Sequence, residues 1–465
     1  WPAGARGSAH DRISLRGWKR MKVNGEIPEH MRKALEESLT TSRELGYDVD
    51  SDQKAKGKPS DGQLARRWID QNPDCRYGLG EMRRYRDGHW PTMGAERFGQ
   101  SVLEMLQQAE AEGVRVTDRL LRSVIHLIET EIAIPAEQWD AIPHALVCAN
   151  GTLDLRTMAL REHNPEDYAT FALDYDFDQN ARCPTFKQVL ADALPGDAIE
   201  FLQEYAGYCL TTSTEHEIAL WLYGPPASGK STIIEGLTAM LGPRAGTLSL
   251  AEIEQSRFAL GGIAGKTLLM ATEQPGMFMR TAYRLNALIS GEPVVVERKY
   301  ADPVTIRPCA KLLWAMNELP RADASSGLYR RVKVIPCRPV ATPNPEVKRA
   351  VVTERAGILN WALAGLRRLR SRKRFEIPPS VQEASRLFQA ANDIPAQFLA
   401  ERCERGDDYR ASGQELYNAY RAWCADNGHQ TMSSTTLAEH WARLGLARYR
   451  SEGRTYYRGV RVKLT

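Results

Sequence analysis

Between Ile218 and Leu241 the chain reads IALWLYGPPASGKSTIIEGLTAML, an apolar run, a glycine-bounded loop and a helix-forming run in direct succession. The loop, Gly224-Pro225-Pro226-Ala227-Ser228-Gly229-Lys230-Ser231, satisfies G-x-x-x-x-G-K-[ST] and stands where that pattern carries meaning, after a strand and before a helix. Its glycines let consecutive backbone N–H groups converge on phosphate oxygens, and the helix that follows presents its positive end to the same anion. Lys230 is then expected between the terminal phosphates and the Ser231 hydroxyl on Mg²⁺, with Thr232 completing the phosphate-binding set. ATP and Mg²⁺ are the expected ligands. A second Gly-Lys, Gly265-Lys266, precedes a strand rather than a helix and reads as a turn.

Two apolar strands follow the loop and both end on polar residues. Lys266 leads into TLLMATE, which closes on Glu273, a carboxylate able to hold the metal's water or polarise the attacking one. Strands often end on Glu, so it is the preceding loop that gives Glu273 weight. AKLLWAM finishes on Asn317, in the phrase Asn317-Glu318-Leu319-Pro320. An amide there can orient water beside a γ-phosphate, or simply open a turn before Pro320. GLYRRVKVIP then places Arg330 and Arg331 ahead of a third strand. They suit a neighbouring subunit's site, although a surface arginine pair is ordinarily just solvated.

The rest of the chain bounds these readings. At 465 residues it is long enough for about three domains. It lacks a run of eighteen apolar residues and the pattern of a signal peptide, so a soluble, intracellular protein with no membrane partner is expected. The opening Trp1 in place of Met suggests a trimmed chain with an upstream domain missing. Eight scattered cysteines form no CxxC pair and read as reduced, mostly buried thiols. A net charge of +4 identifies no partner alone, so the placement of the basic residues must carry that argument.

Residues 1–62 read as an N-terminal segment and polar linker. Its Asp48, Asp50 and Asp52 lack the flanking strands that a catalytic metal cluster would need. Residues 63–182 form a mixed domain with an expected turn at Asp87-Gly88 and the phrase Asn150-Gly151-Thr152-Leu153-Asp154-Leu155. A helical collar over 183–212, an α/β nucleotide-binding domain over 213–345 and a helical connector over 346–400 follow. Over 401–465, two helices and an alternating arm turning at Glu452-Gly453 describe a winged helix, with Ser433 or Ser434 capping the second helix. Arg448, Arg450, Arg454 and Arg458 alternate there with Tyr449, Tyr456 and Tyr457, a composition suited to DNA phosphates and stacking. A charged edge hairpin facing solvent has the same composition.

Taken together, GPPASGKS, LLMATE, LISGEPVVVERKY, LLWAMNELP and GLYRRVKVIP resemble the motif series of superfamily 3 helicases, specifically the phage and plasmid primase-helicase family related to the poxvirus primase-helicase. The resemblance runs from about Gln63 to the end and implies an AAA+-like P-loop core. It also implies hexameric rings on single-stranded or forked DNA, 3′ to 5′ polarity, ATP at subunit contacts, and a bacterial host cytoplasm. By position it makes Lys230 and Ser231 the phosphate and Mg²⁺ residues, Glu273 the water-activating carboxylate and second metal residue, and Asn317 the sensor. Arg330 becomes the better finger, with Arg331 kept beside it, and Arg298-Lys299 falls at the tip of a DNA-gripping hairpin. Thr272 stands where many relatives carry a second acid, which puts more of the metal on Ser231. The family's frequent primase domain is missing from these residues, so a separate primase partner or an absent N-terminal domain is expected, and helicase activity without priming. Two other classes compete: an ATP-controlled initiator or loader with little unwinding, and a small-molecule P-loop kinase, which the arginine pair, the hairpin and the basic wing disfavour.

Overall fold

The computed structural model of the protein describes residues 58–463, apart from 143, 257–258, 275–277, 280–282, 299–300, 323–325 and 341–343. Asp48, Asp50, Asp52 and Lys299 lie outside the described residues.

An N-terminal unit is built from α1 (Asp61–Gln71), a hairpin of β1 (Cys75–Gly78) and β2 (Glu81–Arg84), α2 (Ala95–Gln108) and α3 (Asp118–Glu131). Ser60 starts α1 with a capping box to Gln63, which satisfies N–H groups that the first turn would otherwise leave unpaired. Leu64, Trp68, Phe98, Val102, Leu106, Val124 and Ile128 close a core of their own. The β1–β2 hairpin turns at Leu79-Gly80, and Asp87-Gly88 makes a second reversal in which Arg86 pairs with His89. All four turn residues have positive φ, as two-residue hairpin turns require.

A three-stranded antiparallel sheet follows, β3 (Ala145–Cys148), β4 (Gly151–Asp154) and β5 (Leu160–Arg161), with the Asn150-Gly151 phrase at its first turn. Leu146, Cys148, Leu153 and Leu155 bury into the main core rather than the N-terminal one. The expected 63–182 domain therefore divides, its second half packing as a cap on the central body.

That body contains α4 (Pro184–Ala193), α5 (Gly196–Tyr208), β6 (Ala219–Tyr223), α6 (Lys230–Leu241), β7 (Ala245–Thr247), α7 (Leu250–Gln255) and β8 (Leu268–Ala271). It also holds a two-residue parallel pair, β9 (Phe278–Met279) with β13 (Arg321–Ala322), the helix α8 (Tyr283–Ser290), and a hairpin of β10 (Val294–Arg298) and β11 (Ala301–Ile306). β12 (Lys311–Met316), α9 (Ser326–Arg331) and β14 (Val332–Pro336) complete a five-stranded parallel sheet in the order β14-β6-β12-β8-β7. Its central strands are continuous apolar runs because helices cover both faces. Alternation sends Leu220, Leu222, Leu313 and Ala315 to one face and Trp221, Leu312 and Trp314 to the other.

α10 (Pro345–Thr353), α11 (Arg355–Arg372) and α12 (Pro379–Asn392) fall within the helical connector expected over 346–400 and pack on this body. Val351, Ile358 and Leu366 join one core face, and Phe388 of α12 packs on Trp221 at 5.0 Å on the other. α11 lies so close along α5 that a Cβ at Gly207 would come within 2.5 Å of the Ala362 carbonyl and the Leu366 amide. Two backbones cannot yield as a flexible side chain can. Gly207→Ala is therefore expected to cost about 1–3 kcal/mol, in the range of overpacked cores, measured as a lower unfolding midpoint. Glu204, one turn away and 1% exposed, accepts from Arg368 at 2.6 Å and pairs with Arg372, tying the same two helices.

The C-terminal module runs α13 (Ile394–Arg402), β15 (Cys403–Ser412), α14 (Gly413–Asp426), α15 (Ser434–Arg443), β16 (Arg448–Ser451) and β17 (Arg454–Val462). Its sheet order is β15-β17-β16, three strands where two were expected. Phe398 and Leu399 of α13 belong to its core, which moves the start of the module from 401 to 394. Ser433 caps α15, and the β16–β17 turn falls at Glu452-Gly453. The eight cysteines are free, seven of them buried. Among the described residues no helix is long and apolar enough to cross a membrane.

Candidate active site

The phosphate loop leaves β6 where the strand order reverses, with β14 on one side and β12 on the other. Such switch points open a crevice beyond the carboxyl ends of parallel strands. The register then decides what meets there. Met316 pairs with Tyr223 and Ala271 with Trp314, so Thr272, Glu273 and Asn317 all emerge at the same edge as Gly224. Together with Pro226, Ala227, Ser228, Gly229, Lys230, Ser231 and Thr232 they line one cavity of about 590 Å³.

The loop has the conformation a phosphate cradle needs. Ala227 and Gly229 both have positive φ, at 57° and 75°, and the left-handed residues turn neighbouring N–H groups inward. Ala227 is not glycine, and its strained backbone is held by the Val340 amide donating to its carbonyl at 3.0 Å. α6 begins directly after Gly229, and no side chain caps it, so its first N–H groups face the cavity. The Lys230 ammonium, 7% exposed, donates to the Gly224 and Pro225 carbonyls at 2.8 and 2.7 Å and to the Ser228 hydroxyl at 2.9 Å. Burial pulls its pKa below the usual lysine value, an effect that Cys337 partly opposes. Ser231, Thr272, Glu273 and Asn317 are exposed on the cavity wall. An uncapped helix end, a buried cation, an accessible hydroxyl and a carboxylate form a donor set that fits a nucleotide triphosphate with Mg²⁺.

Reading the sequence missed the rest of the wall. Val189 and Asp192 of α4, with Val340, Asn344, Val347 and Lys348 around the start of α10, close the far side. Only the cap Asn344 with Pro345 at the first helical position marked that helix start in the sequence.

Arg330 and Arg331 stand elsewhere. α9 delivers them to the amino end of β14, where Val332 pairs with Ala219, at the sheet edge opposite the loop. Arg330 is 71% exposed and Arg331 only 13%, and both reach the same Glu217 Oε2, at 3.5 and 2.6 Å. The β10–β11 hairpin forms as expected, with Arg298 opposite Ala301.

In the C-terminal module Arg448 and Arg454 line a groove of about 1010 Å³ with Gln414, Ser434, Thr435 and Glu439. Arg450 and Arg458 are exposed, Arg458 lying 4.7 Å over the Tyr449 ring, which stacks on Tyr456. Arg461 is spent inside the module on Glu404 and, at 4.0 Å, on the face of Tyr409.

Comparison with known proteins adds family to this geometry. Residues 62–195 match the family described as D5 N terminal like, 222–331 a family of unknown function (DUF5906), and 390–443 the Poxvirus D5 protein-like family. No curated protein matches the sequence. Among solved structures, an A form apo structure of the NrS-1 C terminal region is similar over 88% of this chain and 100% of its own, at 12% identity and a TM-score of 0.51. A second apo structure of that region is similar over 87% and 100%, at 10% identity and a TM-score of 0.50. At such identities the likeness is one of fold. The chain is thus similar to D5-type proteins over residues 62–195 and 390–443, and it shares its fold with the NrS-1 C terminal region, a likeness to phage primase-helicase proteins.

Proposed function

We propose that the chain is an ATP-driven DNA helicase motor that works as a ring and completes its ATP sites across subunit contacts. The observation that supports this best is the division of the charged groups between the two ends of one sheet. Lys230, Ser231, Glu273 and Asn317 share a cavity at the carboxyl edge, while Arg330 is exposed at the amino edge. Five paired residues separate the edges, ~13 Å at roughly 3.3 Å per residue, so Arg330 cannot serve its own site. A neighbouring copy can bring one edge against the other, which a ring of identical subunits does at every contact.

In this reading Lys230 exchanges its loop carbonyls for phosphate oxygens. Glu273 polarises the attacking water, Asn317 orients it, and the neighbour's Arg330 stabilises the charge that builds as the terminal phosphoryl group transfers. Mg²⁺, held by Ser231 with Glu273 acting directly or through water, would neutralise the phosphate oxygens. Hexameric number and 3′ to 5′ polarity rest on the family resemblance.

DNA is assigned to two places. The tip of the β10–β11 hairpin, Arg298-Lys299, would grip the backbone inside the ring. The C-terminal helix, strand, helix, helix and strand pair has the order of a winged helix, and its groove sets Arg448 and Arg454 beside the start of α15. Replacing both arginines by Ala is expected to weaken DNA binding uniformly across sequences. The slope of log K against log salt should fall by about two, near one per phosphate contact.

Strand displacement on a 3′-tailed duplex tests the proposal as a whole. Displacement that requires ATP and Lys230 is expected. ATP-dependent binding without displacement would instead favour an initiator or loader that uses its ATP site to control assembly.

A further inference from the structure

The turn ahead of β6 holds a contact that neither the nucleotide cavity nor the DNA surfaces use. Glu217 sits in a left-handed conformation, φ 45°, at the end of a turn closed by its amide on the Thr214 carbonyl at 3.0 Å. A non-glycine residue is strained there and must be held by its surroundings. Its Oε2 is the oxygen shared by Arg330 and Arg331.

Arg331 spends all three faces of its guanidinium inside its own subunit. Nη2 pairs with Glu217 at 2.6 Å, Nε donates to the Ser290 hydroxyl at 3.0 Å, and Nη1 donates to the Gly327 carbonyl at 3.3 Å. Ser290 is the last residue of α8, and only Gly291, Glu292 and Pro293 separate it from the β10–β11 hairpin. The same turn touches α8 a second time, where the Thr214 hydroxyl donates to the Ser290 carbonyl at 3.4 Å. One arginine thus joins the helix that carries the hairpin, the strand entry that leads to the phosphate loop, and the short helix that presents Arg330.

We propose that Ser290, Arg331 and Glu217 form a positioning relay, which carries the position of the DNA-gripping hairpin to the arginine offered to the neighbouring subunit. The inference rests on the helicase reading above. Charge-assisted bonds of a rigid planar guanidinium fix direction as well as distance. When the hairpin engages a DNA backbone and α8 shifts, Arg331 moves with Ser290 and alters its hold on the shared Glu217 oxygen. Arg330, held only at 3.5 Å and open to solvent, is freed or retained accordingly. Arg331 and Glu217 touch no nucleotide in this scheme; they position a group that does.

The test uses the full chain, Mg²⁺-ATP and a single-stranded oligonucleotide, with ATP hydrolysis followed with and without the DNA. Ser290→Ala is expected to keep the basal rate and the KM for ATP while stimulation by DNA drops about fivefold or more, a typical coupling between sites. Ser290→Thr, which restores the hydroxyl, should recover stimulation. Glu217→Gln should mimic Ser290→Ala with an unchanged unfolding midpoint. A purely structural role would move basal rate, stimulation and midpoint together. Full stimulation in both Ser290→Ala and Glu217→Gln overturns the relay alone. A wild-type chain whose hydrolysis DNA does not stimulate overturns the helicase reading and the relay with it.

Discussion

Lys230→Ala is expected to lower ATP hydrolysis by at least ~10²-fold, the cost of removing one preorganised charge from a phosphoryl-transfer site, and to leave the fold intact. The ammonium is buried in the cavity wall, where its three acceptors are two loop carbonyls and the Ser228 hydroxyl. Truncation leaves those oxygens unpaired at a cost of about 1–3 kcal/mol in stability, well below what the loss of the charge costs the reaction. Phosphate release under saturating ATP, with a thermal unfolding curve of the same sample, separates the two. Hydrolysis within tenfold of wild type would remove the phosphate loop from the mechanism.

Arg330→Ala should be as damaging, with a loss of about 10³ to 10⁵ in rate if it serves as an arginine finger. What distinguishes it is where the loss occurs. A Lys230→Ala subunit still offers Arg330, and an Arg330→Ala subunit still has an intact loop. In an equal mixture about one contact in four joins the two intact halves in a head-to-tail ring, so hydrolysis should return to roughly a quarter of wild type. Two variants that stay inactive in every mixture would show that each site is complete within one chain. Arg331→Ala should behave differently, because a 13% exposed side chain with three internal partners has little to offer a neighbour.

Much of the site was legible before any coordinates. The loop, Glu273 and Asn317 each follow an apolar run that reads as a buried strand, and parallel strands of similar length bring their ends together. The caps were legible for a similar reason, since Ser433 accepts from Thr436 three residues away and needs no tertiary contact. By contrast, β15 reads CERGDDYRAS, a polar segment whose strand state comes from pairing with β17 some fifty residues later. Local preference says nothing of that. The packing of Phe388 on Trp221, which makes α12 part of the central body, was hidden for the same reason.

The sequence by itself determined where a phosphate-loop motif stands, between a strand and a helix, because that pattern is carried by eight consecutive residues and the periodicity on either side. It determined the order of the polar strand ends as well. Only the tertiary structure set the surroundings of the two arginines apart. Adjacent residues on a helix point about 100° apart, and it is the fold that brings Glu217 and Ser290, distant in the chain, against one of them and leaves the other facing outward. It also decided that this arginine stands at the far edge of the sheet from the loop, because the reach of a side chain is a few ångströms and the length of a strand is not.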